Sequence, residues 1–397
     1  MYKGMKSLFV LLLPFVLTGC WSNIEIEDMA LYTGLALDSG QPAPTEKEFE
    51  AKGAAYPKQN RVMATVQIVP IRSMGSKNKK EPQTDAPRAY QNVSGSGDSI
   101  LEIFRQFSIR LDRPIIGHHL KVIVISADLL KKQTIEQMSD FVLRDNDIRP
   151  STMVFVSEGK ASEVLSSSRA NEVPSFHISK MVHNQSRTSK VLDPVTLSNL
   201  DANNHAKRSF VLQNIITGSQ EMEFDGAGVI KGSTGHWVGK LNQEDAECLS
   251  WLRNEGQSGM IKSYNKDNEP LAYEMKSFKS KITPRVEGEH ISFEVKIATE
   301  GRYSETWSTS GTPTSQAYAK KAGAIFEKKL SAMMQSLMHK LQSEYKADVA
   351  GFGDQLAMEK PAVWNKVKDN WDEMFSRSEV KFTYDLKITD FGSFTEK

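Results

Sequence analysis

Cysteine is almost absent from this 397-residue chain, which holds only Cys20 and Cys248. That excludes a disulfide-built scaffold and an all-cysteine zinc site. A surplus of either charge is also missing: 50 Lys and Arg stand against 49 Asp and Glu, for a net charge of +1. A chain so balanced does not wrap nucleic acid by phosphate neutralisation, so no nucleic-acid partner is expected. Beyond residue 20 no apolar run approaches the roughly 18 residues of a membrane span. With 39% hydrophobic and 25% charged residues, the chain is neither disordered nor a multi-span membrane protein. Nothing matches G-x-S-x-G, H-E-x-x-H, a P-loop or a dinucleotide-binding G-x-G-x-x-G. No enzyme, metal site or cofactor is expected.

What is present begins at the first residue. Lys3 and Lys6 precede an almost unbroken apolar run from Leu8 to Leu17. The run is about half the length needed to cross a bilayer, so residues 1–19 read as a signal peptide. It ends in Leu17-Thr18-Gly19-Cys20, a bacterial lipobox. The small residues at 18 and 19 fit a peptidase groove, and the Cys20 thiol is the nucleophile for thioether formation. An ordinary cleavable signal with a chance cysteine is the alternative, but basic start, run length and lipobox agree in order. A diacylglyceryl group on Cys20 brings two acyl chains, each buried methylene contributing roughly 0.8 kcal/mol, enough for stable membrane attachment.

The mature chain divides into three segments. Residues 20–157 alternate strand and helix patterns. Leu31 to Leu37 and Arg61 to Val69 have period two, and Ser99 with Glu102 opens a capped helix carrying Ile103, Phe104 and Phe107. Leu120 to Ile125 is apolar throughout, which predicts a central strand covered on both faces. Residues 39–60 and 72–97, rich in small and polar types, read as exposed loops. Residues 158–265 are more polar. They contain a strand near 208–216, a hairpin around Gly232-Ser233-Thr234-Gly235, and a helix from about 243 to 253. Residues 266–397 hold alternating strands at Ile291 to Ile297 and Val380 to Ile388. Between them a helix over 315–349, about 50 Å long, carries the stripe Phe326, Leu330, Met333, Leu337, Leu341 and Tyr345. Pro361 starts another helix, with Trp364, Val367, Trp371 and Phe375 inward.

Individual chemical candidates favour structural roles. Cys248 lies among Glu244, Asp245 and Glu247, which raise a thiol pKa, so a buried structural cysteine is expected. His118 and His119, taken as strand neighbours, point to opposite faces and do not ligate one metal. His177 and His183 match no zinc spacing.

The motifs together resemble one family. They are Gly19-Cys20-Trp21, Val66-Gln67-Ile68, Gly117-His118-His119-Leu120, Leu143-Arg144-Asp145 with Ile148-Arg149, and Gly226-Ala227-Gly228-Val229-Ile230. Trp237-Val238-Gly239-Lys240-Leu241, Trp251-Leu252, Asp348, Gly351-Phe352-Gly353 and the Trp364/Trp371 helix follow in order. The chain is similar to the Ger(x)C lipoproteins, the C subunits of nutrient-germinant receptors in endospore-forming bacteria. It departs at Ser22-Asn23, where the family usually has an Asp-Arg type of sequence, and in a longer 39–60 loop. The resemblance implies a three-domain α+β protein, each domain a sheet packed with helices. It also implies a lipid anchor at Cys20 and a place on the outer face of the spore inner membrane, beside A-type and B-type membrane subunits. It implies a non-catalytic role in the response to nutrients. A solute-binding lipoprotein serving a transporter is the alternative.

Overall fold

The computed structural model describes residues 28–54, 57–70, 89–166, 171–219, 221–256, 258–307 and 316–391. The expected signal peptide, Cys20 and most of the second expected loop lie outside the described residues. Strand β1 (Ala30–Ser39), helix α1 (Pro44–Ala51), β2 (Val62–Ile68), β3 (Gln91–Gly97) and α2 (Ile100–Phe107) open the fold. Next come β4 (Ile115–Ile116), β5 (Val122–Ser126), α3 (Ala127–Leu130), α4 (Ile135–Arg144) and β6 (Met153–Ser157). Helices α5 (Ala161–Val164) and α6 (Pro174–Met181), then β7 (Val195–Thr196) and α7 (Leu197–His205), lead into β8 (Phe210–Thr217), β9 (Met222–Lys231) and β10 (His236–Leu241). The remainder is α8 (Gln243–Leu252), β11 (Gly259–Tyr264), β12 (Pro270–Glu287), β13 (His290–Thr306) and α9 (Gln316–His339). It closes with α10 (Phe352–Glu359), α11 (Pro361–Val367), α12 (Trp371–Arg377) and β14 (Glu379–Asp390).

Two sheets organise these elements, in keeping with the α+β class. The first has ten strands in the order β10-β9-β8-β6-β5-β1-β2-β3, with β4 beside β1 and β7 beside β6. Its centre, β1-β5-β6, is parallel. β5 is buried along its whole length, as its uniformly apolar sequence requires. One face packs Leu35, Ile123 and Val156 against Ile103 and Phe107 of α2. The other packs Ala36, Val124 and Phe155 against Val164 and Ile178. Ser99 caps α2: its Oγ accepts the Glu102 N–H at 3.2 Å, and Glu102 accepts the Asp98 N–H at 2.8 Å. Such caps contribute about 1 kcal/mol.

Strands from 20–157 and from 158–241 share this sheet, where the resemblance implies one sheet for each domain, and β11, at the end of the 158–265 segment, joins the second sheet. β8, β9 and β10 form an antiparallel run, joined to the parallel centre through Val156 opposite Asn214. The second sheet, β11-β12-β13-β14, is antiparallel except for the parallel pair β13–β14. Helix α9 covers it with Phe326, Leu330 and Leu337 fully buried.

Four local expectations need correction. The first loop contains α1, because Glu46 is buried and accepts N–H groups from Ala43 and Ser96 and the Lys58 ammonium. The end of the second loop is β3. Its glycines permit close contact with α2: a Cβ on Gly95 would meet Phe107, and one on Gly97 would meet Ile103, each at 2.9 Å. The long helix stops at His339, continues as one π-helical turn, Lys340–Glu344, and ends before Lys346 at φ 48°. The Trp364/Trp371 helix is two helices separated by a 3-10 turn at Lys368–Asn370.

Candidate functional site

Cys20, the one residue expected to carry a defined chemistry, lies outside the described residues, so the structure speaks to the other candidates. Cys248 is fully buried in α8. Burial pushes its thiol well above the ordinary range, and Glu247, Asp245 and Glu244 push it the same way. It is an inert core residue.

His118 and His119 sit in a turn closed by the Leu120 N–H on the Gly117 carbonyl, not on a strand. His118 Nδ1 is 3.6 Å from Asp147. Burial, then the charges of Arg149, Lys121 and His118, hold His119 below the usual histidine range. His177 pairs with Glu172. Among the described residues no group of three or more His, Cys, Asp or Glu is placed to hold a metal ion.

The motif glycines explain themselves through what lies on them. A Cβ on Gly228 would stand 1.8 Å from the Trp237 ring, and one on Gly239 would stand 2.1 Å from Tyr345. Tyr345 thus lays its ring on β10 and donates its hydroxyl to the Lys240 carbonyl at 2.8 Å. Lys240 in turn binds Glu158 at 2.5 Å and Asp225 at 2.6 Å. Its burial favours the neutral amine, but the bonds to Asp225 and Glu158 outweigh this and raise its pKa. Gly117 has the same role on the far side: a Cβ there would meet Tyr32 Oη and Ile148, both at 2.8 Å. Gly239→Ala should therefore lift Tyr345 off the sheet and cost about 2 kcal/mol, read as a lowered urea midpoint. A stability within experimental error of the parent would contradict this packing role.

Asp348 is the hub of the last motif. Its Oδ1 accepts the N–H groups of Ala350, Gly351 and Phe352 at 3.1, 3.0 and 3.2 Å. Its Oδ2 accepts the Gly353 N–H at 2.6 Å and the Trp371 indole N–H at 2.9 Å. Gly351 takes φ 88°, a left-handed conformation favouring glycine, and so turns the chain into α10. A Cβ on Gly353 would meet Trp371 at 2.7 Å. Burial still pushes the Asp348 carboxyl up, against the pull of these donors.

Beside this hub a cleft of about 1680 Å³ separates the α7–β8 end of the first sheet from α10 to α12. Arg208 reaches Asp354 across it at 3.1 Å. Asp372 accepts the Ser233 hydroxyl at 2.7 Å and stands 3.9 Å from Lys231. Seven Lys and Arg and eight Asp and Glu line it, so it presents no marked surplus of one sign.

The motif residues of this α+β scaffold thus serve close packing, a helix start and strand contacts within the fold. The family described as "Spore germination protein N-terminal domain" matches residues 22–217, and "Spore germination B3/ GerAC like, C-terminal" matches residues 225–392. "Spore germination protein YndF" of Bacillus subtilis (strain 168) is 36% identical over 387 residues, 97% of this chain and 96% of that protein. "Spore germination protein B3" of the same organism is 28% identical over 380 residues, 95% of each chain. A solved structure, "Crystal Structure of the GerBC protein", shares the fold at a TM-score of 0.60 and 24% identity, covering 85% of this chain and 96% of that one. The chain belongs to the Ger(x)C family of spore germination proteins.

Proposed function

We propose that this chain is the lipid-anchored C subunit of a nutrient germinant receptor. Cys20 carries a diacylglyceryl thioether, and the folded part lies on the outer face of the spore inner membrane beside A-type and B-type membrane subunits. One observation carries the reading: the similarity to spore germination proteins runs collinearly over 97% of the chain, behind a lipobox at Leu17 to Cys20. The packing roles of the motif residues support an interaction subunit. The alternative, a solute-binding lipoprotein, calls for two similar α/β lobes. The ten-stranded and four-stranded sheets are unlike in size and topology.

The test is germination of spores carrying Cys20→Ala, beside a deletion and the parent, with calcium dipicolinate as a trigger expected to bypass the receptor. Both altered strains should lose most of the nutrient response and keep the dipicolinate response. If the deletion strain, with its homologues also removed, germinates normally on every nutrient, the receptor reading is wrong. If only Cys20→Ala behaves as the parent, the anchor is dispensable.

A further inference from the structure

The second sheet ends in β14, whose outer edge no described strand pairs. β14 pairs with β13 along one edge, and among the described residues no strand or backbone hydrogen bond occupies its other edge. That edge is twelve residues long and contains no proline; it does carry Lys381 and Lys387, charges of the kind that blunt an exposed strand, and its register with β13 shifts only at its end, before Asp390. The core-facing row Val380, Phe382, Tyr384, Leu386 and Ile388 is only half-buried although it packs on the main core. The fold thus leaves, at one border, a half-buried apolar row and the outward-facing backbone groups of β14 with no described strand beside them.

The charges on the other face say what fits there. Glu379, Lys381, Thr383, Asp385 and Lys387 alternate outward and are exposed. Read against itself in the antiparallel sense about Thr383, this sequence is its own complement. Glu379 comes opposite Lys387 and Lys381 opposite Asp385, while Thr383 meets its own copy. On the core side Val380 comes opposite Leu386 and Phe382 opposite Tyr384. Opposed charges and aromatic pairs at such positions are the stabilising units of antiparallel sheets. A slip of two residues in one direction puts Lys381 opposite Lys387, and in the other direction puts Glu379 opposite Asp385. The register is therefore specified by repulsion as well as by attraction. The rows also continue those already in the sheet, since Lys381 lies beside Glu294 and Lys387 lies 3.5 Å from Glu300. The other border strands carry no such pattern: β3 has no charged residue, β11 has only Lys262, and β10 has only Lys240 beside His236.

We propose that β14 is a self-association edge, where a second copy of this chain pairs antiparallel about Thr383 and extends the sheet through both molecules. The proposal rests on the strand and its charges, and does not depend on the receptor reading.

Cross-linking of the full chain tests the register. Thr383→Cys should give a disulfide-linked dimer on mild oxidation. Glu379→Cys, equally exposed but far from its own copy in this register, should not. Lys381→Cys and Asp385→Cys chains should cross-link with each other when mixed and not when kept apart. Charge exchange tests the energetics by sedimentation of the full chain in detergent. Lys381→Glu or Asp385→Lys alone should weaken dimerisation by roughly tenfold, and the two together should restore it. These substitutions lie on an exposed face, and circular dichroism checks that the fold is kept. A Thr383→Cys yield no higher than that of Glu379→Cys overturns the proposal. So does a dimer indifferent to single reversals, or a double variant no tighter than the single ones.

Discussion

Replacing Asp348 by alanine should cost about 3 kcal/mol of folding stability, the upper end of the range for stranding polar groups inside a fold. The carboxylate is the shared acceptor for four backbone N–H groups and the Trp371 indole. Alanine leaves those donors without a partner inside a tight turn, and stranded donors cost more than the net worth of the bonds they made. The loss should extend beyond α10. Trp371 packs edge-on to Phe293 of β13, with centroids 6.3 Å apart, and to Trp364, at 5.4 Å. Freeing the indole therefore loosens α11 and α12 against the second sheet. Asp348→Asn keeps one oxygen acceptor but turns an amide nitrogen toward donors, so its cost should be smaller. Urea unfolding followed by tryptophan fluorescence measures both. An alanine variant within 1 kcal/mol of the parent would remove the hub from the account of this fold.

Glu247→Gln should change stability in a way that depends on pH. Glu247 lies in α8 and is 4% exposed. Burial raises its pKa from 4.5 to about 7, with Glu244 adding to the rise and Lys190 and the Met260 N–H opposing it. A carboxyl that holds its proton more tightly when folded contributes fully to stability below about 4.5. That contribution is lost as pH rises through the window up to about 7, and is absent above it. A pKa gap of this size corresponds to about 3 kcal/mol. Glutamine keeps the oxygen that faces the Met260 N–H and cannot ionise. The variant should match the parent near pH 4.5 and exceed it by about 2–3 kcal/mol at pH 8. Denaturation at pH 4.5, 6, 7 and 8 follows the divergence. Equal differences at all four values would mean that Glu247 does not titrate in this window.

The elements legible in the sequence are those whose signal is local. The apolar run of β5, the Ser99 and Glu102 cap of α2, the hairpin of β9 and β10 and the alternation of β14 all lie within short windows. Helix α1 was hidden because its defining residue, Glu46, is an acid whose partners Lys58 and Ser96 come later in the chain. Strand β3 was hidden because glycine and serine, poor strand formers, are chosen there to admit Phe107 and Ile103. The joining of two segments into one sheet rests on Val156 and Asn214, a long-range pairing that no periodicity announces. The motif residues were legible as a family pattern, but their tasks were not. That Gly239 receives Tyr345, or that Asp348 gathers donors from α10 and α12, becomes visible only when distant segments meet.

The parallel centre of the first sheet also sets an order of events during synthesis. β1 is the first described strand to be made, yet it lies between β2 and β5, with Gly34 opposite Val122. Until β5 has been synthesised, one apolar border of β1 has no native mate. The second sheet repeats the delay, because Ser292 of β13 waits for Glu379 of β14 across α9 to α12. Pairings so distant along the chain form slowly and leave intermediates with sticky strand borders.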